Sequence, residues 1–180
     1  MTAAIPIDTT EYRVLLVDPE SRRVCVLDRE GRYRLIRVTV PQRRRPAREL
    51  QKTLRDAWGL AVLILDILTT EDSMAPCAVA ELLHGELPAE FRTIPSEELP
   101  DEELSGQERA IVLAALDGDT RSPCGGIGWI DEAIAWVETV TGRRVSSKSD
   151  VEQYNAGAGF TLVRLGVEGG WDYWLKATGA

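Results

Sequence analysis

"KTLRDAWGL", residues 52–60, joins a basic stretch to an apolar one. It reads as the last two turns of a helix and its stop. Pro46 suits the first helical position, and from there Leu50, Leu54, Ala57 and Trp58 make an apolar stripe. Gly59 ends the helix, because glycine takes the left-handed conformation that closes a helix without a Cβ clash. "LAVLILDIL" (residues 60–68) then reads as a buried strand by its β-branched content, and it is too short to span a bilayer as a helix.

Working outward toward the N-terminus, "YRVLLVD" (residues 12–18) and "RRVCVLD" (residues 22–28) are rich in β-formers. The Asp-Pro-Glu-Ser between them predicts a hairpin. Glu30-Gly31 is a second turn, leading into the half-exposed strand "RYRLIRVTV" (residues 32–40). Toward the C-terminus, "APCAVAELL" (residues 75–83) is a further strand. Residues 85–104 are acidic, carry Pro88, Pro95 and Pro100, and read as a loop or linker. Ser105 and Glu108 form a capping box that opens a helix ending at Gly118. "GWIDEAIAWVETVTG" (residues 128–142) is another helix, with Ile127, Ile130, Ile134 and Val137 on one face and Trp129 and Trp136 expected in the core.

The chain has 180 residues with 44% hydrophobic and 28% charged content, which suits a globular chain of one domain or two small ones. Its net charge of -8 argues against nucleic acid as a partner. Cys25, Cys77 and Cys124 are odd in number and far apart, so neither a zinc site nor a disulfide framework is expected, and a reducing cytoplasm is the simplest compartment. The N-terminus lacks a signal-peptide pattern, and no membrane association is expected.

The order of strands, a helix ending in Trp-Gly-Leu, and a strand resembles the Nudix fold. With Gly59 and Leu60 on the closing glycine-aliphatic pair of the Nudix motif, Lys52 stands for its arginine and Thr53 for its first glutamate. Asp56 and Ala57 stand for the Glu-Glu pair, and Arg44 for the upstream glutamate. Nudix chemistry needs several carboxylates on one helix face to hold divalent ions against a diphosphate. Only Asp56 is in frame, with Glu49 two turns earlier, so the resemblance implies a fold without its activity. Glu49 and Asp56 are either residual Nudix-helix acids or solvated helix residues. Arg43, Arg44 and Arg45 are either anion contacts or an exposed basic loop.

The closing run "VEQYNAGAGFTLVRLGVEGGWDYWLKATGA" (residues 151–180) reads as strand, glycine turn, strand, glycine turn and strand. It resembles the N-lobe of the aminoglycoside-phosphotransferase-like (kinase-like) family. That resemblance places Gly157 and Gly159 in a phosphate-covering loop and makes Lys176 the strand lysine. On the residues alone, the run is a β-meander whose glycines serve turns. The catalytic loop and the magnesium-binding carboxylates of that family have no counterpart in the sequence, so no catalytic residue and no metal ligand is assigned. ATP and magnesium are expected only with a C-terminal lobe.

The expected architecture is α+β: a degenerate Nudix-like mixed sheet with a helix (residues 1–84), an acidic linker (85–104), then helices and an incomplete, three-stranded antiparallel kinase-like N-lobe (105–180). The expected function is a non-catalytic binding or regulatory region of a phosphotransferase-like protein. The alternatives are a divergent Nudix-type nucleoside-diphosphate hydrolase and a small interaction protein that pairs with a protein partner or a second copy through its C-terminal β edge.

Overall fold

The computed structural model describes residues 8–42, 45–71, 75–119, 124–156 and 160–178. Ten strands and three α-helices are seen among them: β1 (Thr9–Asp18), β2 (Arg23–Arg29), β3 (Arg32–Arg34), β4 (Ile36–Pro41), α1 (Pro46–Trp58), β5 (Ala61–Leu68), β6 (Cys77–His84), β7 (Phe91–Ile94), α2 (Gly106–Asp117), α3 (Trp129–Thr141), β8 (Glu152–Asn155), β9 (Phe160–Val167) and β10 (Trp171–Thr178). The architecture is α+β, with a seven-stranded mixed sheet and a separate three-stranded antiparallel sheet in the order β10-β9-β8.

β1 organises the larger sheet. It pairs in parallel with β6 on one edge, and on the other it meets β4 along its first half and β2 at its end. Tyr12–Val17 are therefore all buried, which explains why that run is nearly continuous in apolar residues rather than alternating. Val14 and Leu16 belong to one apolar cluster with Ala47, Leu50 and Leu54 of α1. Leu15 and Val17 belong to a second cluster, with Val112 and Leu116 of α2 and Ile130 and Val137 of α3. The sheet is thus a middle layer with helices on both faces.

Local chemistry sets the element ends as the sequence predicts. Pro46 occupies the first turn of α1, and Gly59 is left-handed at φ 70° with its N–H donated to the Arg55 carbonyl. Ser105 and Glu108 form the reciprocal capping box of α2. Glu30 and Gly31 both take positive φ, 55° and 78°, as a tight turn between β2 and β3 requires.

Three expectations change. Residues 85–104 are not a structureless connection: β7 pairs with β2, and Leu99, Glu103 and Leu104 are buried. Phe91 and Ile94, buried in the clusters on opposite faces of the sheet, supply a short strand that the surrounding prolines and acids disguise. The strand expected at residues 32–40 is broken at Leu35, so β3 pairs with β2 and β4 passes to β1. Trp129 is buried as expected, whereas Trp136 is 57% exposed because it lies on the outer face of α3.

The smaller sheet joins the larger one through two buried glutamines. Gln153 of β8 accepts from the Ile64 N–H at 2.8 Å and donates to the Ile64 carbonyl at 2.7 Å, acting as a short added strand against β5. Gln51 of α1 donates to the Val62 carbonyl at 2.6 Å and accepts from the Gln153 N–H at 2.7 Å. Val163 and Leu165 of β9 share the apolar cluster of α2 and α3. Replacing Gln153 by alanine strands two buried backbone groups of β5, the Ile64 N–H and carbonyl, each costing about 1–3 kcal/mol. Urea denaturation of Gln153→Ala is expected to show a loss of about 3 kcal/mol, against under about 0.5 kcal/mol for the exposed Thr178→Ala.

Candidate functional site

Three arginines and a tryptophan converge at the end of α1. Arg29 closes β2, Arg34 closes β3, Arg37 lies in β4 and Trp58 is the last residue of α1. With Leu27 and Leu35 they line an open cavity of about 420 Å³, a volume in the range of small-molecule sites. The break at Leu35 matters here, because it lets β3 and β4 present Arg34 and Arg37 to one opening. Trp58 is fixed by Phe91, whose ring meets it edge-on at 6.0 Å.

Glu103 holds two of these arginines. It is fully buried and accepts from Arg34 at 2.7 Å and from the Leu35 N–H at 3.1 Å, with Arg37 at 3.6 Å. The other acidic partners of the pair, Glu102 and Glu11, are at 3.4 Å and exposed, so solvent screens them. Arg29 has no ion pair among the described residues. The cavity therefore combines guanidinium groups, which match phosphate or carboxylate oxygens with paired N–H donors, and a flat apolar ring.

The sequence-predicted residues fall elsewhere. Glu49 lies half-buried in the first turn of α1. Asp56 is exposed and bound by the Lys52 ammonium one turn earlier, which raises the Lys52 pKa. No group of three or more His, Cys, Asp or Glu side chains suited to a metal ion occurs among the described residues. Arg45 precedes α1, with its guanidinium 5.8 Å from the Tyr154 ring, and Arg48 lies 4.7 Å from the same ring. Lys176, exposed on β10, has its ammonium 5.1 Å from the Phe160 ring. Gly157, Gly159, Arg43 and Arg44 lie outside the described residues. The cysteines are buried, and burial pushes the Cys25 and Cys77 thiols up to about 12, which disfavours the nucleophilic thiolate form.

No family model and no curated protein matches the chain. Solved structures similar to it include two with names that bear on the fold. One is a UDP-X diphosphatase at 14% identity and TM-score 0.45, the match spanning 66% of each chain. The other is a protein described as a Nudix hydrolase family member from Chromobacterium violaceum, at 16% identity and TM-score 0.45, spanning 77% of this chain and 97% of that one. Likenesses of that size assign no activity to this chain. No described helix is long and apolar enough to cross a membrane.

Two buried acids lie outside the cavity. Burial acts to raise the Glu108 pKa, but its carboxylate accepts from both terminal guanidinium nitrogens of Arg13, at 2.6 and 3.2 Å, and from the Ser105 N–H, and together these bonds lower it. Glu81 of β6 is buried at the start of α3. Burial raises its pKa, opposed by the Gly128 N–H at 2.7 Å and by Lys148 at 3.6 Å, and helped by Asp131. The signs differ. A lowered carboxylate stabilises the fold above its unfolded pKa, and that stability is lost as pH falls through the folded value. A raised one stabilises most below the ordinary value of 4.5 and loses that contribution as pH climbs through the folded value. Thermal melts of Glu81→Gln are therefore expected to show a smaller decline than the wild type as pH rises from the carboxylate range toward neutrality. Parallel curves for the two proteins would refute this role for Glu81.

Proposed function

We propose that this chain is a Nudix-like domain that binds an anionic ligand bearing a flat ring, by class a nucleoside diphosphate, without a hydrolytic step of its own. The observation that carries this is the meeting of Arg29, Arg34 and Arg37 around Trp58 at the end of α1, with Glu103 holding two of the guanidinium groups. The Nudix-like assignment rests on α1 itself. Leu54 is buried where the motif requires an aliphatic residue, Gly59 is left-handed where it requires glycine, and the helix runs between β4 and β5. The absence of hydrolysis rests on Lys52, which occupies the one in-frame carboxylate, Asp56. Thr53 and Ala57 have no oxygen charge to offer a divalent ion.

A second reading, a divergent nucleoside-diphosphate hydrolase, draws on the spacing of Glu49 and Asp56. Seven residues apart, they lie on one face of α1. Calorimetric titration with nucleoside diphosphates and with inorganic pyrophosphate separates the cases. On the binding reading, Arg29→Ala and Arg37→Ala weaken both ligands by about tenfold or more, while Trp58→Leu weakens the nucleotide and spares pyrophosphate. Magnesium-dependent release of phosphate that disappears in Asp56→Ala would replace this reading with the hydrolase.

A further inference from the structure

The outer edge of β10 is an unpaired strand edge among the described residues. β10 is eight residues long, pairs with β9 along its whole length, and has no strand on its other edge among the described residues. An edge strand presents unpaired N–H and C=O groups, and folded proteins normally blunt it with proline, a bulge or brevity. β10 has none of these devices: its register with β9 is continuous from Trp171 to Thr178, and it contains no proline. Trp171 and Trp174 are 65% and 55% exposed.

The order of residues along β10 makes this edge self-complementary. We infer that two copies of the chain pair antiparallel through β10, with Trp174 on the two-fold axis and Asp172 of each copy opposite Lys176 of the other. Antiparallel pairing about position 174 sets 172 against 176 twice, giving two opposite-charge pairs on the face where Trp174 meets its own copy. The same register sets Tyr173 against Leu175 on the other face, where both side chains are already half-buried against the core. Within one copy, Trp174 packs on Tyr154 at 4.8 Å, and Arg48 lies over that Tyr154 ring. The pairing therefore joins two aromatic and guanidinium stacks into one strip across the dimer.

The charges also choose the orientation. A parallel, in-register pairing puts Lys176 on Lys176 and Asp172 on Asp172, which repel. Lys176 thus guards the edge against open stacking while fitting the closed antiparallel pair. Asp172 is held by Arg164 of the neighbouring β9 at 3.0 Å, which fixes its carboxylate on the sheet face for sharing with Lys176 of the second copy.

Sedimentation equilibrium across a concentration series tests this on the whole chain. The wild type is expected to be a dimer. Lys176→Asp and Asp172→Lys each turn two attractive pairs into repulsive ones and are expected to weaken self-association by about tenfold or more. Mixed in equal amounts, these two single variants regain attraction at both positions, so a heterodimer is expected from two proteins that dissociate alone. That rescue also shows that both variants are folded. A wild type that remains monomeric, variants that dimerise as the wild type does, or a mixture with no heterodimer would each overturn the assignment.

Discussion

The fold depends on two buried amides. Without Gln51 and Gln153, the smaller sheet has an apolar face but no fixed position on the larger one. Apolar burial is non-directional, so it favours contact without selecting a register. Gln153 supplies the register, because its donor and acceptor both bind the backbone of Ile64 on β5. Gln51 extends the same link to α1, through the Val62 carbonyl and the Gln153 N–H. All of these groups are removed from water, and an unmatched one costs more than a matched one gains. Sliding the smaller sheet by one residue breaks every bond of the set, so the layers hold a single relation.

A second polar set ties the start of α2 to β1. Arg13 reaches across the layer to the Glu108 carboxylate, the Glu103 carbonyl at 2.7 Å and the Ala75 carbonyl at 2.5 Å. Glu108 is at once the capping-box acid of α2 and the partner of Arg13. The charge is compensated and its remaining oxygens are satisfied, the condition under which a buried ion pair is tolerated. This anchoring brings Glu103, five residues before Glu108, to the edge where Arg34 and Arg37 emerge. The cavity arginines are thus positioned by the same segment that closes the core.

Much of this architecture is legible in the sequence because it follows from local rules. The helix from Pro46 to Gly59, the capping box at Ser105 and Glu108, and the strands around the two apolar runs all rest on residues close together in the chain. Long-range pairings are not legible in that way. Arg13 and Glu108 are ninety-five positions apart, and nothing near either residue names the other. The glutamines left a trace: Gln51 sits on the apolar stripe of α1, and Gln153 alternates in phase with buried Val151. A polar residue at a core position signals a buried hydrogen bond, though not its partner. The cavity was least legible, since Arg29, Arg34 and Arg37 read as ordinary outward residues of half-exposed strands, and only the break at Leu35 brings Arg34 and Arg37 to one opening beside Arg29. The motif-based sites were legible as patterns only. Lys52 and Asp56 fit the spacing of the Nudix motif, but their mutual ion pair is a property of the helix surface.

The distribution of charge reconciles an acidic chain with a basic cavity. A net charge of -8 counts every carboxylate alike, but three of them are spent inside. Glu103, Glu108 and Glu81 are fully buried, facing Arg34, Arg13 and Lys148 respectively. A buried carboxylate acts on its close partner in a low dielectric and little on distant solvent, whereas exposed charges are screened within about 10 Å at 0.1 M salt. At the end of α1, Glu103 offsets charge on Arg34 and Arg37, while Arg29 has no ion pair among the described residues, so the local balance differs from the total. Glu103 pairs with Arg34 and Arg37 and so restrains these two guanidinium groups before any ligand arrives. On the proposed reading, that ordering lowers the entropy a ligand must otherwise surrender to assemble the site.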